Sequence, residues 1–190
     1  KMVLQNKEAS GYIFGYTAHS LELFASRSWL VAFFVFCTAY TGEAFFLAAT
    51  TLAGVINFFG VPASILGNEM AIKIGRQNWI CFVMLTSAIL GIALAAATGQ
   101  GWWVIALLAT GHSIFIMADS ATLTAGLVTS AQPQIKGAAM GLHSLMGFGG
   151  GLLGPAIFGF VLDLSGSQES QSAWVWAYFS IVIWGVLFVL

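Results

Sequence analysis

Charged side chains are scarce in this sequence. Lys and Arg number 6 and Asp and Glu number 7 among 190 residues, which is 7%, whereas about 25% of residues are charged in a typical soluble domain. The formal net charge of −1 leaves no basic face for nucleic acid. The two cysteines, Cys37 and Cys81, both fall in apolar segments, which favours buried thiols over a disulfide or metal role. An ordinary soluble domain and a nucleic-acid-binding protein are therefore excluded.

Catalytic and cofactor motifs are also missing. The sequence has no nucleophile elbow, no P-loop and no dinucleotide fingerprint; Gly147-Phe148-Gly149 only reflects a high local density of glycine. Three histidines and two central carboxylates leave a metal or haem site open in principle. No two histidines have the i, i+4 spacing of ligands on one helix, so that signal is weak. We expect neither an enzyme nor a bound metal or cofactor.

Apolar residues are abundant instead. They make up 59% of the chain, and the mean hydropathy is +0.91. Strict apolar–polar alternation is absent, so the sequence predicts an all-α integral membrane protein rather than a barrel. Roughly 20 helical residues cross about 30 Å of hydrocarbon. On that basis we place a polar linker at residues 1–10 and six transmembrane spans at residues 11–36, 45–66, 79–98, 102–130, 137–163 and 173–190.

The basic residues are distributed unevenly between the two sides of these six spans. One side carries Lys1, Lys7, Lys73, Arg76 and Lys136. The other side has no Lys or Arg and carries Glu43, Asp163 and Glu169. The positive-inside rule therefore predicts that the N-terminus and the loop containing Lys73 and Arg76 are cytoplasmic. We expect a multi-pass protein of a bacterial inner membrane, and a fragment of a longer chain, because the sequence begins without Met and ends in an apolar run.

The fifth span is unusually rich in glycine. Gly147 and Gly151 are four residues apart, as are Gly150 and Gly154, so one helix face presents bare backbone against which a neighbouring helix can pack closely. Pro155 follows directly and predicts a kink.

The first span carries a polar stripe. The residues at three- and four-residue spacing are Tyr12, Gly15, Tyr16, His19, Glu22 and Ser26. This face is expected to line a wet cavity, because ionisable side chains are expensive in lipid. Arg27 lies about 140° from Glu22 around the helix and is a candidate for binding an anion or another helix. The alternative is that His19, Glu22 and Arg27 form a structural polar network between helices.

The fourth span carries a second polar face. Its members are His112, Phe115, Asp119, Thr122 and Gly126. Asp119 lies near the middle of the span, where a carboxylate that binds and releases protons would suit proton-coupled transport. A buried carboxylate that caps a helix break, or that pairs with Arg27 or His112, is the alternative.

Two further positions are less specific. Asn57 precedes Gly60 and Pro62, a cluster that predicts either a locally broken helix lining a cavity or a simple kink in which Asn57 holds a neighbouring helix. A lone His143 in the fifth span is more typical of an interhelical hydrogen-bond donor than of a ligand.

The segment between the second and third spans resembles the cytoplasmic signature of the major facilitator superfamily, roughly G-x-L-A-D-R-x-G-R. The sequence there is Gly67-Asn68-Glu69-Met70-Ala71-Ile72-Lys73-Ile74-Gly75-Arg76. Alignment on Gly75 and Arg76 puts Lys73 at the basic position and Gly67 near the leading glycine. Ile72 occupies the acidic position, which is a departure from the pattern. The glycine-rich fifth span, ending at Asp163, is similar to the eleventh helix of that superfamily.

The resemblance implies that this chain is the C-terminal half, helices seven to twelve, of a transporter that works by alternating access. It implies an N-terminal six-helix half, or a homodimer mate, as partner beside the lipid bilayer and a small-molecule solute. The cavity-lining helices of the family correspond to the first and fourth spans, which carry Glu22 and Asp119.

We therefore expect a secondary active transporter, coupled to protons, that moves a small solute, with an organic anion as one option because of Arg27. Two alternatives remain open. One is a proton-driven exporter of amphiphilic or aromatic compounds, and the other is a membrane scaffold that transports nothing.

Overall fold

The computed structural model describes residues 2–190; Lys1, assigned above to the linker and to the basic side, lies outside the described residues. The regular structure in that range is helical. The helices are α1 (Met2–Gln5), α2 (Lys7–Thr41), α3 (Ala49–Phe58), α4 (Gly60–Ile74), α5 (Arg76–Ala96), α6 (Trp102–Met117), α7 (Ser120–Ser130), α8 (Lys136–Leu164) and α9 (Gln171–Val189).

Six helical stretches within the described residues are long and apolar enough to cross a membrane. We call them spans 1 to 6: Lys7–Thr41, Ala49–Ile74, Arg76–Ala96, Trp102–Ser130, Lys136–Leu164 and Gln171–Val189. Span 2 joins α3 and α4, and span 4 joins α6 and α7. The prediction of an all-helical chain with six helical stretches long and apolar enough to cross a membrane is thus confirmed for the described residues.

The bounds of spans 1 and 2 differ from those predicted. Span 1 begins at Lys7, inside the predicted linker, because Asn6 caps it: the Asn6 side chain accepts a hydrogen bond from the Ala9 N–H at 3.1 Å. Span 2 continues to Ile74, so the predicted loop at residues 67–78 is largely helical. The turn is confined to Gly75, whose φ of +94° suits glycine best.

The two ends of the helical bundle differ in charge. At the basic end, the Asn6 side-chain amide donates to Ser130 O at 3.0 Å and Arg76 donates to the Thr129 hydroxyl at 2.9 Å. Spans 1 and 3 are therefore both tied to the same end of span 4. At the opposite, acidic end, the Gln171 side chain donates to Ala96 O at 3.1 Å.

The pairing of the spans contains an internal repeat. Span 1 packs on span 5, and correspondingly span 4 packs on span 2. Span 1 also packs on span 6, and correspondingly span 4 packs on span 3. Spans 3 and 6 pack on each other. If spans 1, 2 and 3 are exchanged with spans 4, 5 and 6 in that order, the same pairs of spans remain in contact. Because each triplet has an odd number of spans that alternate in direction, the second triplet begins at the opposite end of the bundle. The six spans therefore form two triplets of inverted topology.

The glycines of span 5 lie on span 1. A Cβ atom added at Gly147 would meet the Tyr16 ring, and one added at Gly150 would lie 2.6 Å from Thr17 O. One added at Gly154 would overlap Leu21 O. Helix α8 is continuous through Pro155, whose carbonyl accepts a hydrogen bond from the Trp29 indole at 3.0 Å. The bare face of α8 thus allows backbone-to-backbone contact with α2.

An aromatic cluster fills the half of the bundle toward the acidic end. Trp174 and Tyr178 of span 6 are fully buried, and their rings contact Phe33 of span 1 and Phe158 of span 5 edge-on, at centroid distances of 5.2–5.9 Å. Edge-to-face packing of this kind adds to the stabilisation from buried area. The polar residues of spans 1 and 4 lie nearer the middle of the bundle and the basic end.

Candidate functional site

Two buried histidine–carboxylate pairs join span 1 to span 4. His19 Nδ1 lies 2.8 Å from Asp119 Oδ1, and His112 Nε2 lies 3.1 Å from Glu22 Oε1. All four residues are at most 4% exposed. The His112–Glu22 contact is an aligned hydrogen bond, whereas the His19–Asp119 contact is close but not aligned as one.

The pairing is reciprocal. Span 1 gives its histidine to the carboxylate of span 4 and its carboxylate to the histidine of span 4. Span 1 is the first span of one triplet and span 4 is the first span of the other. Both histidine–carboxylate pairs therefore lie at the contact between equivalent spans of the two triplets. Buried ionisable groups are tolerated in an apolar interior when they are paired, and these four compensate one another.

Asp119 is positioned by a break in span 4. Helix α6 ends at Met117 and α7 begins at Ser120, so Asp119 is the residue directly before α7, at its N-cap position. Its side chain makes no capping hydrogen bond to that helix and reaches His19 instead. The break frees the Ala118 carbonyl, which accepts a hydrogen bond from the Trp79 indole of span 3 at 2.9 Å. A neighbouring helix thus satisfies the interrupted backbone, as a membrane interior requires.

Gly67 of span 2 packs directly on this break, since a Cβ atom added there would overlap Ala118 O. We expect Gly67→Ala to push α4 away from span 4, to displace Asp119 from His19 and to lower stability by about 1–3 kcal/mol, the usual cost of overpacking. Thermal unfolding in detergent measures the loss. Gly54→Ala in α3, where nothing lies within 4 Å of the added Cβ atom, is the control. Equal melting points for the two variants would contradict this packing.

Two other glycines make room for the second pair. A Cβ atom at Gly91 of span 3 would lie 2.9 Å from His112 Nε2, and one at Gly185 of span 6 would lie 3.7 Å from Glu22 Oε2. The Tyr178 ring meets the His112 ring edge-on at 5.8 Å. Spans 3 and 6 therefore enclose the pair that spans 1 and 4 provide.

A group of rings lies beside the first pair. Tyr16 stacks on His19 with centroids 5.5 Å apart and on His143 of span 5 with centroids 3.9 Å apart. His143 Nε2 lies 3.3 Å from the Thr124 hydroxyl of span 4. Thr122, one turn after Asp119, is fully buried. Spans 1, 4 and 5 thus meet around Tyr16.

Several predicted site residues lie elsewhere. Phe115 was placed on the face of His112 and Asp119, but its ring packs edge-on against Phe82 of span 3 at 6.0 Å. Phe115 lies about 60° from His112 around α6, and the break after Met117 interrupts the regular periodicity before Asp119.

Three more residues lie away from the two pairs. The Arg27 guanidinium approaches Gly60, where span 2 is interrupted. Asn57 lies in α3 beside the same interruption. Tyr12 contacts Gly126, near the basic end.

Sequence reasoning missed the supporting residues Trp79, Gly91 and Gly185. It interpreted His143 as an interhelical donor, and His143 does contact the Thr124 hydroxyl of span 4. A tryptophan inside a span and single glycines are too common to single out from composition. Within residues 2–190, no three side chains of His, Cys, Asp or Glu converge as metal ligands. No protein-family description, curated protein or solved structure matches this chain.

Proposed function

We propose that this chain is the C-terminal six-helix half of a major-facilitator-type secondary transporter, coupled to protons, that moves a small solute by alternating access. The observation that carries the proposal is the reciprocal pairing of His19 with Asp119 and of Glu22 with His112 across the two triplets. Ionisable side chains inside a membrane are costly and mark ion and substrate pathways. Inverted triplets of this kind also occur within each half of major facilitator transporters.

The pairs supply a coupling step. An ionised carboxylate attracts its histidine and draws spans 1 and 4 together. A proton that binds Asp119 or Glu22 neutralises the carboxylate and weakens that attraction, so the two spans are free to move relative to each other. Loss of the proton on the other side of the membrane restores the pair. The broken backbone at Ala118 gives span 4 a natural point of movement.

The proposal includes a partner and an orientation. Spans 2 and 5 are the least buried of the six, and they present apolar faces on which a second six-helix half, or a second copy, would pack. The end that carries Lys7, Lys73, Arg76 and Lys136 would be cytoplasmic. The proposed location is a bacterial inner membrane.

Reconstituted vesicles test the coupling. A thermal-shift screen with amino acids, sugars, small anions and aromatic amines identifies the solute, since a ligand of the folded state raises the melting point. We expect Asp119→Asn and Glu22→Gln to reduce solute accumulation driven by a pH gradient to the level of protein-free vesicles. Both substitutions keep side-chain size and remove the proton-binding carboxylate.

Glu169→Gln, an exposed residue of the acidic end, is the matched control and should behave as the unmodified protein. Gradient-driven accumulation that survives in both Asp119→Asn and Glu22→Gln would show that neither carboxylate couples transport to protons.

A further inference from the structure

A cavity of about 410 Å³ opens at the basic end of the bundle, where spans 1, 3 and 6 meet. Its wall carries two opposite charges, Lys7 and Glu8, at the start of span 1. The same wall includes apolar side chains, among them Ile80 of span 3 and Phe188 of span 6. A ligand that fits this cavity therefore has both a polar and an apolar part.

The two charges of the cavity are not paired within the protein. Lys7 and Glu8 are both exposed, and neither forms an ion pair within residues 2–190. Arg76, at the start of span 3, donates to the Thr129 hydroxyl of span 4 and does not line the cavity. The cavity thus offers one positive and one negative group, which is complementary to a zwitterion.

An apolar groove of about 480 Å³ lies between spans 1, 5 and 6. Phe14, Leu153 and Leu187 contribute exposed apolar side chains to its wall. The hydroxyl of Thr17, in the same wall, donates to Ile13 O at 2.9 Å and so has no hydrogen left for a ligand. The groove therefore suits a hydrocarbon chain.

The cavity and the groove are neighbours, and Phe188 lines both. Their lining residues include a stripe on one face of span 1, at four- and three-residue spacing: Lys7, Gly11, Phe14, Ala18 and Leu21. The helix rises roughly 21 Å from Lys7 to Leu21, at about 1.5 Å per residue. One leaflet with its headgroups is about 20–22 Å thick. The stripe therefore has the length of one lipid molecule.

We infer that the cavity and the groove together bind one phospholipid of the leaflet at the basic end, with a zwitterionic headgroup that carries a primary ammonium. The phosphate lies by Lys7, the ammonium donates to Glu8, and one acyl chain occupies the groove. A trimethylammonium group has no N–H and cannot form the charge-assisted hydrogen bond to Glu8. The inference goes beyond the proposed function, because it requires that the chain lies in a bilayer but not that it transports a solute.

Three dioleoyl lipids with different headgroups test the charge complementarity. Phosphatidylethanolamine, phosphatidylcholine and phosphatidylglycerol are titrated into the purified intact protein in detergent, and native mass spectrometry measures the bound fraction of each. We expect phosphatidylethanolamine to bind about two- to fivefold more tightly than the other two, the range that one exposed charge contact supplies. Tightest binding of phosphatidylglycerol, or equal binding of phosphatidylethanolamine and phosphatidylcholine, would overturn the zwitterionic headgroup.

Substitution of Glu8 tests the ammonium contact. Glu8→Gln removes the negative charge, so the preference for phosphatidylethanolamine over phosphatidylcholine should disappear. Glu69→Gln is the matched control, because Glu69 is an exposed carboxylate outside the cavity, and this variant should keep the preference. A preference that survives in Glu8→Gln would contradict the contact.

A tryptophan in the groove tests the position of the acyl chain. Leu153→Trp fills part of the groove from an exposed position and should weaken the binding of all three lipids. Leu152→Trp is the matched control, since Leu152 is the adjacent residue, is 77% exposed and lies outside the groove. Equal lipid binding by the two variants would show that the acyl chain does not occupy the groove.

Cys81 reports occupancy in the unmodified protein. It lines the cavity and is partly exposed, whereas Cys37 is only 1% exposed. Phosphatidylethanolamine at about ten times its Kd should slow alkylation of Cys81 by a water-soluble maleimide about tenfold, because about a tenth of the sites stay free. Peptide mass spectrometry measures the rate. Phosphoethanolamine, the headgroup without acyl chains, should give no protection. Equal protection by phosphoethanolamine, or none by any lipid, would overturn the site.

Discussion

Gly154→Ala should destabilise this protein more than a Gly→Ala substitution at any other glycine of span 5. The new Cβ atom would overlap the backbone carbonyl of Leu21 on span 1, and neither backbone can rotate away as a side chain can. Spans 1 and 5 form the most extensive helix pair in the bundle. A separation of about 0.5–1 Å forfeits a quarter to a half of the dispersion energy across such a contact.

We expect a loss of about 3 kcal/mol, at the upper end of the usual cost of overpacking. That corresponds to a fall in Tm of about 6–12 °C for a chain of this size. Thermal unfolding in detergent, followed by helix signal, measures the effect.

Gly149→Ala on the same helix is the matched control. Nothing lies within 4 Å of a Cβ atom at that position, so the substitution should be neutral or should stabilise by up to about 1 kcal/mol through the better helix propensity of alanine. Similar melting points for Gly149→Ala and Gly154→Ala would mean that α8 does not pack on α2 through this face.

Glu22→Leu should be the most damaging substitution among the polar residues. It removes the partner of a buried His112 that is 1% exposed and leaves its Nε2 atom without an acceptor. Removal of one member of a buried pair typically costs about 3–5 kcal/mol. A membrane interior offers no water to replace the lost contact. Chemical or thermal unfolding in detergent measures the loss.

The double variant Glu22→Leu, His112→Leu provides the decisive comparison. Replacement of both members of a buried pair by apolar residues of similar volume is often neutral or stabilising. We therefore expect the double variant to recover most of the stability that Glu22→Leu loses, while gradient-driven transport stays abolished. If the double variant instead loses as much stability as the two single variants together, Glu22 and His112 are not energetically coupled. A stable double variant that still transports would assign this pair a structural role.

The sequence predicts the two histidine–carboxylate pairs, His19 with Asp119 and His112 with Glu22, only in part. The polar stripes of the first and fourth spans are visible in the sequence, because helical periodicity puts residues three and four apart on one face. Which histidine pairs with which carboxylate depends on how two helices distant in the chain are aligned. Phe115 illustrates the limit, since its position in the pattern matched the stripe and yet its ring lies on Phe82.

The local sequence determined the secondary structure of this protein. Long apolar runs interrupted by few charges determine six helical stretches that are long and apolar enough to cross a membrane, because a bilayer leaves the backbone no alternative to internal hydrogen bonds. Glycines four residues apart give span 5 a face of bare backbone, on which a neighbouring helix can pack closely. These properties depend only on residues near one another in the chain.

Only the tertiary structure decided what the polar residues do. The break at Ala118 is sustained by Trp79 from span 3 and Gly67 from span 2, and it turns Asp119 toward His19. Tyr16 stacks both on His19 of its own span and on His143 of span 5. The contacts between different spans join residues that are 39 to 127 positions apart in the sequence, and their geometry follows from the packing of whole helices. Periodicity along a single helix therefore shows which residues can meet a neighbour, whereas helix packing selects which neighbour they meet.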